Sequence, residues 1–100
     1  MRTVRADWAG TVLVCRKCSK KLDGGFGPKG KTPLAKALRR FLALGKGRKS
    51  SLGVVEVKCL GICPKNAVTV VDGARPAEWM LIDRGMPLDE VAAALARAPH

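Results

Sequence analysis

The chain predicts a single small α/β domain, a two-layer sandwich with element order β-α-β-β-β-α. Three observations predict it. One hundred residues suffice for one modest core and no second lobe. A hydrophobic share of 47% with only four aromatics describes an aliphatic-rich globule rather than a disordered chain. Short β-branched runs alternate with one segment of helical periodicity, and β-α-β order calls for a helix packed on a sheet.

Residues 1–10 form an N-terminal tail and residues 11–98 the domain. Residues 11–16 (TVLVCR) predict the first strand, rich in β-branched side chains. Residues 17–31 carry Gly24, Gly25, Gly27, Pro28 and Gly30 and predict a polar loop, too glycine-rich for helix or strand. A helix is expected over 33–44. Thr32 is its N-cap, Pro33 takes the first helical position, and Gly45 is the stop. Leu34, Leu38, Phe41 and Leu42 fall on one stripe, with Lys36, Arg39 and Arg40 facing away. Residues 46–51 read as a basic linker and residues 52–58 (LGVVEVK) as the second strand. Strands over 67–72 and 77–82 make a hairpin turned near Asp72-Gly73. Pro87 opens a closing helix over 88–97, with Asp89 and Glu90 in its first turn and Leu88, Val91 and Leu95 on its packing face.

The net charge of +11 is unevenly spread. Residues 1–50 hold fourteen Lys and Arg against Asp7 and Asp23, whereas residues 51–100 hold five against six acids. A positive field on one side attracts an acidic protein, nucleic acid or an anionic surface. An acidic partner protein is the expectation, docked on Lys36, Arg39, Arg40, Lys46, Arg48 and Lys49. Nucleic acid is the competitor, but stacking aromatics and a groove-reading module are both lacking. No apolar run approaches a membrane span. Arg2 and Arg5 precede the apolar residues 9–14, but Asp7 and Trp8 interrupt the start, so no export signal is read and the cytoplasm is the expected compartment.

The chemistry lies in the four cysteines. Cys15-Arg16-Lys17-Cys18 and Cys59-Leu60-Gly61-Ile62-Cys63 are two close pairs separated by forty residues. A short spacer aims two sulfurs of one loop at the same ion or cluster, and the long spacer lets the fold bring two loops together. Each pair follows a predicted strand. If those strands are parallel neighbours joined by a helix, both loops leave the same end of the sheet. Gly61 permits a tight turn whose N–H groups point at sulfur, and such bonds stabilise thiolates. In a reducing compartment four thiols are available to metal, whereas two structural disulfides belong to exported chains.

Strand, cysteine pair, helix, strand, Cys59-Leu60-Gly61-Ile62-Cys63, hairpin and closing helix together resemble the thioredoxin-like [2Fe–2S] ferredoxins. The same pattern is similar to the small subunit of bacterial respiratory NADH dehydrogenase and to small bacterial proteins described as predicted metal-binding. The likeness covers residues 11–97. It implies a thioredoxin-like domain, a [2Fe–2S] cluster held by Cys15, Cys18, Cys59 and Cys63, one-electron transfer or cluster-dependent sensing rather than enzymatic turnover, an acidic redox partner and a homodimer. The first pair is usually wider in those ferredoxins, and most of them are acidic. Zn²⁺ on the same four cysteines is the alternative, in a binding module that uses its basic face on nucleic acid or an acidic protein. A Cys-x-x-Cys thiol–disulfide oxidoreductase is the lesser alternative; its active pair normally opens a helix, and here a glycine-rich loop is expected to follow.

Other signals are weaker. Residues 25–32 (GFGPKGKT) formally match a phosphate-binding loop, but they do not follow a strand directly and are read instead as a flexible basic flap. Trp79 is expected in core or hairpin packing and Trp8 in the tail. His100 is the only histidine, which excludes a Rieske-type centre. No Ser–His–Asp set or carboxylate pair supports hydrolysis.

Overall fold

A computed structural model describes residues 1–45, 47–62 and 64–96. Among these, a four-stranded mixed sheet, a two-stranded hairpin and three α-helices make a small mixed α/β fold. Strand β1 spans Thr11–Cys15, helix α1 Arg16–Lys21, and the hairpin strands β2 and β3 Gly25–Phe26 and Thr32–Pro33. Helix α2 spans Leu34–Phe41. Strands β4 (Gly53–Val57), β5 (Ala67–Asp72) and β6 (Met80–Asp83) follow, and α3 (Leu88–Ala96) closes the order.

The sheet order is β4-β1-β5-β6. β1 and β4 run parallel with Cys15 opposite Val57, while β5 is antiparallel to β1 and to β6. The parallel neighbours that one shared cysteine site requires are therefore present, with helix in the crossover between them. One face of the sheet presents Val12, Val14, Val54, Val68, Val70 and Ile82 to a core that Leu34, Leu38, Val91 and Leu95 complete from α2 and α3. The period of two places Leu13, Val55 and Val71 on the other face. Of these, Val71 is buried and the other two half-buried.

Three expectations are corrected. First, residues 17–31 are not one loop. Helix α1 begins directly after Cys15, and the glycines serve the hairpin behind it. Phe26 is the anchor: only 1% exposed, it belongs to the main core. Gly24, with φ +91°, lies so close to the Lys31 carbonyl that a β-carbon has no room. The segment is therefore tied down except at its exposed tip, and is not a free flap. Two amides that a phosphate-binding loop would offer are also spent internally, since Gly25 N–H donates to the Gly30 carbonyl and Gly30 N–H to that of Gly27.

Second, α2 is shorter than 33–44. Thr32 and Pro33 belong to β3, and the helix ends at Phe41. Leu34 and Leu38 are buried as expected with Ala35 and Ala37, but Phe41 is 49% exposed. Gly45 is not the stop. Ala43 takes the left-handed position at φ +51°, while Leu44 N–H reaches the Arg39 carbonyl and Ala43 N–H that of Arg40. This is a Schellman cap built on alanine. Ala43→Gly should therefore raise stability by about 0.5–1 kcal/mol, because glycine removes the β-carbon penalty there. Urea unfolding reads it as a higher midpoint at unchanged slope; a lower midpoint would show that the cap tolerates alanine without strain.

Third, the last strand starts at Met80 rather than 77, and Trp79 stands 42% exposed with its indole N–H on the Pro76 carbonyl. The closing helix matches expectation over its described length, with Val91 and Leu95 buried. Its expected last residue, Arg97, lies outside the described residues, as do Lys46 of the linker and His100. The tail is docked in part: Asp7 N–H donates to the Arg48 carbonyl and Ala9 N–H to that of Ser51. Among the described residues no helix is long and apolar enough to cross a membrane.

Candidate metal centre

The site sits where β1 and β4 end side by side. Cys15 closes β1 and caps α1, and Cys18 lies in the first turn of that helix. Both side chains are buried, at 0% and 1% exposure. Two residues beyond β4, Cys59 opens the second loop, and the loops are tied by Lys17 N–H donating to the Lys58 carbonyl at 3.3 Å. Gly61, at φ +86°, turns the second loop and donates its N–H to Cys59 Sγ at 3.3 Å.

The second loop covers the first pair with its backbone. Leu60 N–H points at the Cys15 sulfur. Cys18 Sγ donates to the Ile62 carbonyl at 3.6 Å and lies 3.9 Å from the Thr69 hydroxyl, which itself donates to the Ile62 carbonyl at 3.3 Å. Thr69 was not among the sequence candidates. Its signal is visible in retrospect as the lone hydroxyl in the run AVTVVD, fully buried in β5. A buried hydroxyl needs partners, and here they belong to the thiol site.

The two thiols are unequal. Burial pushes the Cys15 thiol up, but N–H groups of Cys18, Leu60 and Lys17 together with the Cys18 thiol are aimed at its sulfur, and the balance falls below the usual thiol value. Burial also pushes the Cys18 thiol up; the Thr69 N–H and hydroxyl oppose this, and the neighbouring Cys15 adds to it, leaving Cys18 raised. Hydrogen bonds toward one sulfur thus select Cys15 as the first thiolate of the pair.

Cys15 and Cys18 are therefore brought together, with the backbone next to Cys59 laid over them. Cys59 itself is exposed, and among the described residues no three His, Cys, Asp or Glu side chains gather as a metal-holding group. Cys63, the fourth expected ligand, lies outside the described residues. The three described cysteines are free thiols. The donor chemistry suits iron or zinc: soft sulfur ligands, backbone N–H groups directed at sulfur, and a buried setting. Arg16, Lys17, Lys58 and Lys65 flank the pairs as exposed side chains. Comparison with family models, curated proteins and solved structures finds no match to this chain.

Proposed function

We propose that this chain is a thioredoxin-like domain that binds a [2Fe–2S] cluster through Cys15, Cys18, Cys59 and Cys63 and serves one-electron transfer or cluster-dependent sensing. The observation that carries the reading is the parallel β1–β4 register, which sends both cysteine loops from the same end of the sheet and lays Leu60 and Ile62 backbone on the first pair. When bound, such a cluster takes up and returns a single electron. The protein's part is to bury two ligands, direct N–H groups at sulfur and exclude water from Cys15 and Cys18. Anaerobic purification with iron, sulfide and zinc analysis tests it. A brown protein with about two irons and two sulfides per chain is expected. A colourless protein with one zinc would replace the cluster by a zinc site on the same four thiolates.

The described residues also favour a second reading. Cys15 opens a helix, with Cys18 in its first turn, which is the arrangement of a dithiol exchanger that the glycine-rich loop was expected to deny. Against it, Cys15 is 0% exposed and offers no sulfur for attack. Iodoacetamide added to metal-free protein should label Cys59 well before Cys15 or Cys18, by peptide mapping. Preferential labelling of Cys15 would favour exchange chemistry.

Positive charge beside the cluster favours its more negative, reduced state. Arg16→Gln with Lys17→Gln should therefore lower the reduction potential. Both side chains are exposed, so solvent screening limits the shift to a few tens of millivolts at most, shrinking with salt. An unchanged or higher potential with the cluster intact would leave its tuning to N–H groups and burial.

A further inference from the structure

A groove of about 520 Å³ runs along the free edge of β4, within the size range of sites that hold a ligand. Its apolar lining includes Leu44, Leu52 and Val55, together with Trp8. Trp8 is held there: its indole N–H donates to the Gly47 carbonyl at 2.9 Å, and its ring lies so close over Gly53 that a β-carbon at that position has no room. Arg16 and Arg39 supply the charge, with Glu56 the acid among the lining residues. The Arg39 guanidinium is fixed by donating to the Val54 carbonyl. One corner of a planar five-donor fork is thus anchored, which leaves the rest oriented for a carboxylate.

We propose that this groove is the docking site for an acidic, extended segment of a partner protein, its carboxylates on Arg16 and Arg39 and an apolar residue against Trp8. Charge complementarity selects that occupant. Both lining arginines come from the first half of the chain, where fourteen Lys and Arg face two acids, and they outnumber the one lining acid, Glu56. A flat hydrophobic partner would strand two guanidinium groups, and a basic one would meet repulsion. Arg16 directly follows Cys15, so a segment lying in the groove reaches the edge of the thiol site. The inference does not depend on what the cysteines hold. It moves the docking surface from the outer face of α2, where Lys36 and Arg40 project into water, to the strand edge, where Arg39 turns inward.

The test uses Trp8 as its own reporter. In a Trp79→Phe protein, titration with a ten-residue Glu- and Leu-containing peptide should change Trp8 emission and saturate. Affinity should weaken several-fold between about 50 and 200 mM salt. Arg16→Glu, at an exposed position that the fold does not need, should weaken binding about tenfold or more. Glu56→Gln should strengthen it, because a competing carboxylate is removed. A lysine peptide of the same length should not bind. Binding indifferent to Arg16→Glu, or leaving Trp8 emission unmoved, would overturn the proposal. So would equal or tighter binding of a single-stranded oligonucleotide, which would make the face a nucleic-acid surface.

Discussion

Cys18→Ser is expected to cut bound iron and sulfide to about a tenth or less while the domain stays folded, because a four-thiolate centre that loses one soft ligand loses much of its binding free energy. Cys18 suits this experiment because its surroundings already accept a hydroxyl. The Ile62 carbonyl and the Thr69 hydroxyl flank the sulfur, so a serine Oγ finds partners and is not stranded in the core. Circular dichroism should be unchanged while visible absorption disappears. The informative companion is Cys59→Ser. Its side chain is exposed, so a contribution to the core cannot explain a loss. The four-ligand reading requires Cys59→Ser to be as damaging as Cys18→Ser. A Cys59→Ser protein that keeps full absorbance and metal content would remove Cys59 from the centre. Loss of function through Cys15 and Cys18 alone would then favour the dithiol.

Phe26→Ala should be the most destabilising single change outside the cysteines, at about 3–5 kcal/mol. Phe26 is one of the largest fully buried side chains, packed in the same core as Leu22, Leu34 and Leu38. Loss of its ring removes the hydrophobic anchor of the β2–β3 hairpin and opens a cavity in the core. For a domain of this size such a loss lowers Tm by roughly 15 °C or more. Thermal unfolding of the metal-free protein reads it directly. A drop of only a degree or two would mean that the hairpin is an appended flap after all.

Much of the sheet and of the site's location was legible in the sequence. Strand β5 occupies the expected residues, and β1 and β4 agree within a residue at each end, because the β-branched runs TVLV, GVVEV and AVTVV favour an extended backbone whichever face they bury. The parallel pairing of the two strands that lead into the cysteine loops, which element order leaves as a condition, is present in the sheet. Residues 16–33 depart from the structure that their glycine content predicts. Two features outweighed it: RKCSKK contains no helix breaker, and a single buried phenylalanine pins a hairpin that local composition cannot reveal. The end of α2 departs from expectation for a related reason. The rule that glycine marks the stop gave way to Ala43, where two capping hydrogen bonds outweigh the strain of a left-handed alanine. Arg39 was placed on an outer polar face. Its guanidinium instead donates to a carbonyl of the edge strand β4, one of the backbone groups that a sheet edge leaves without a ladder partner.

The position of β1 between β4 and β5 has a consequence for how the chain is made. Until residues 53–57 exist, β1 has no parallel partner, and until 67–72 exist it has no antiparallel one. Cys15 and Cys18 therefore emerge long before anything can cover them. At roughly 5–20 residues per second, the forty residues between the two pairs take about 2–8 s to synthesise. Throughout that interval two neighbouring thiols, buried in the finished domain, stand open to disulfide closure or to a stray metal ion. Their protection begins only when the β4 segment arrives, and the Leu60 and Ile62 backbone that shelters them is delivered by the same stretch of chain that brings Cys59.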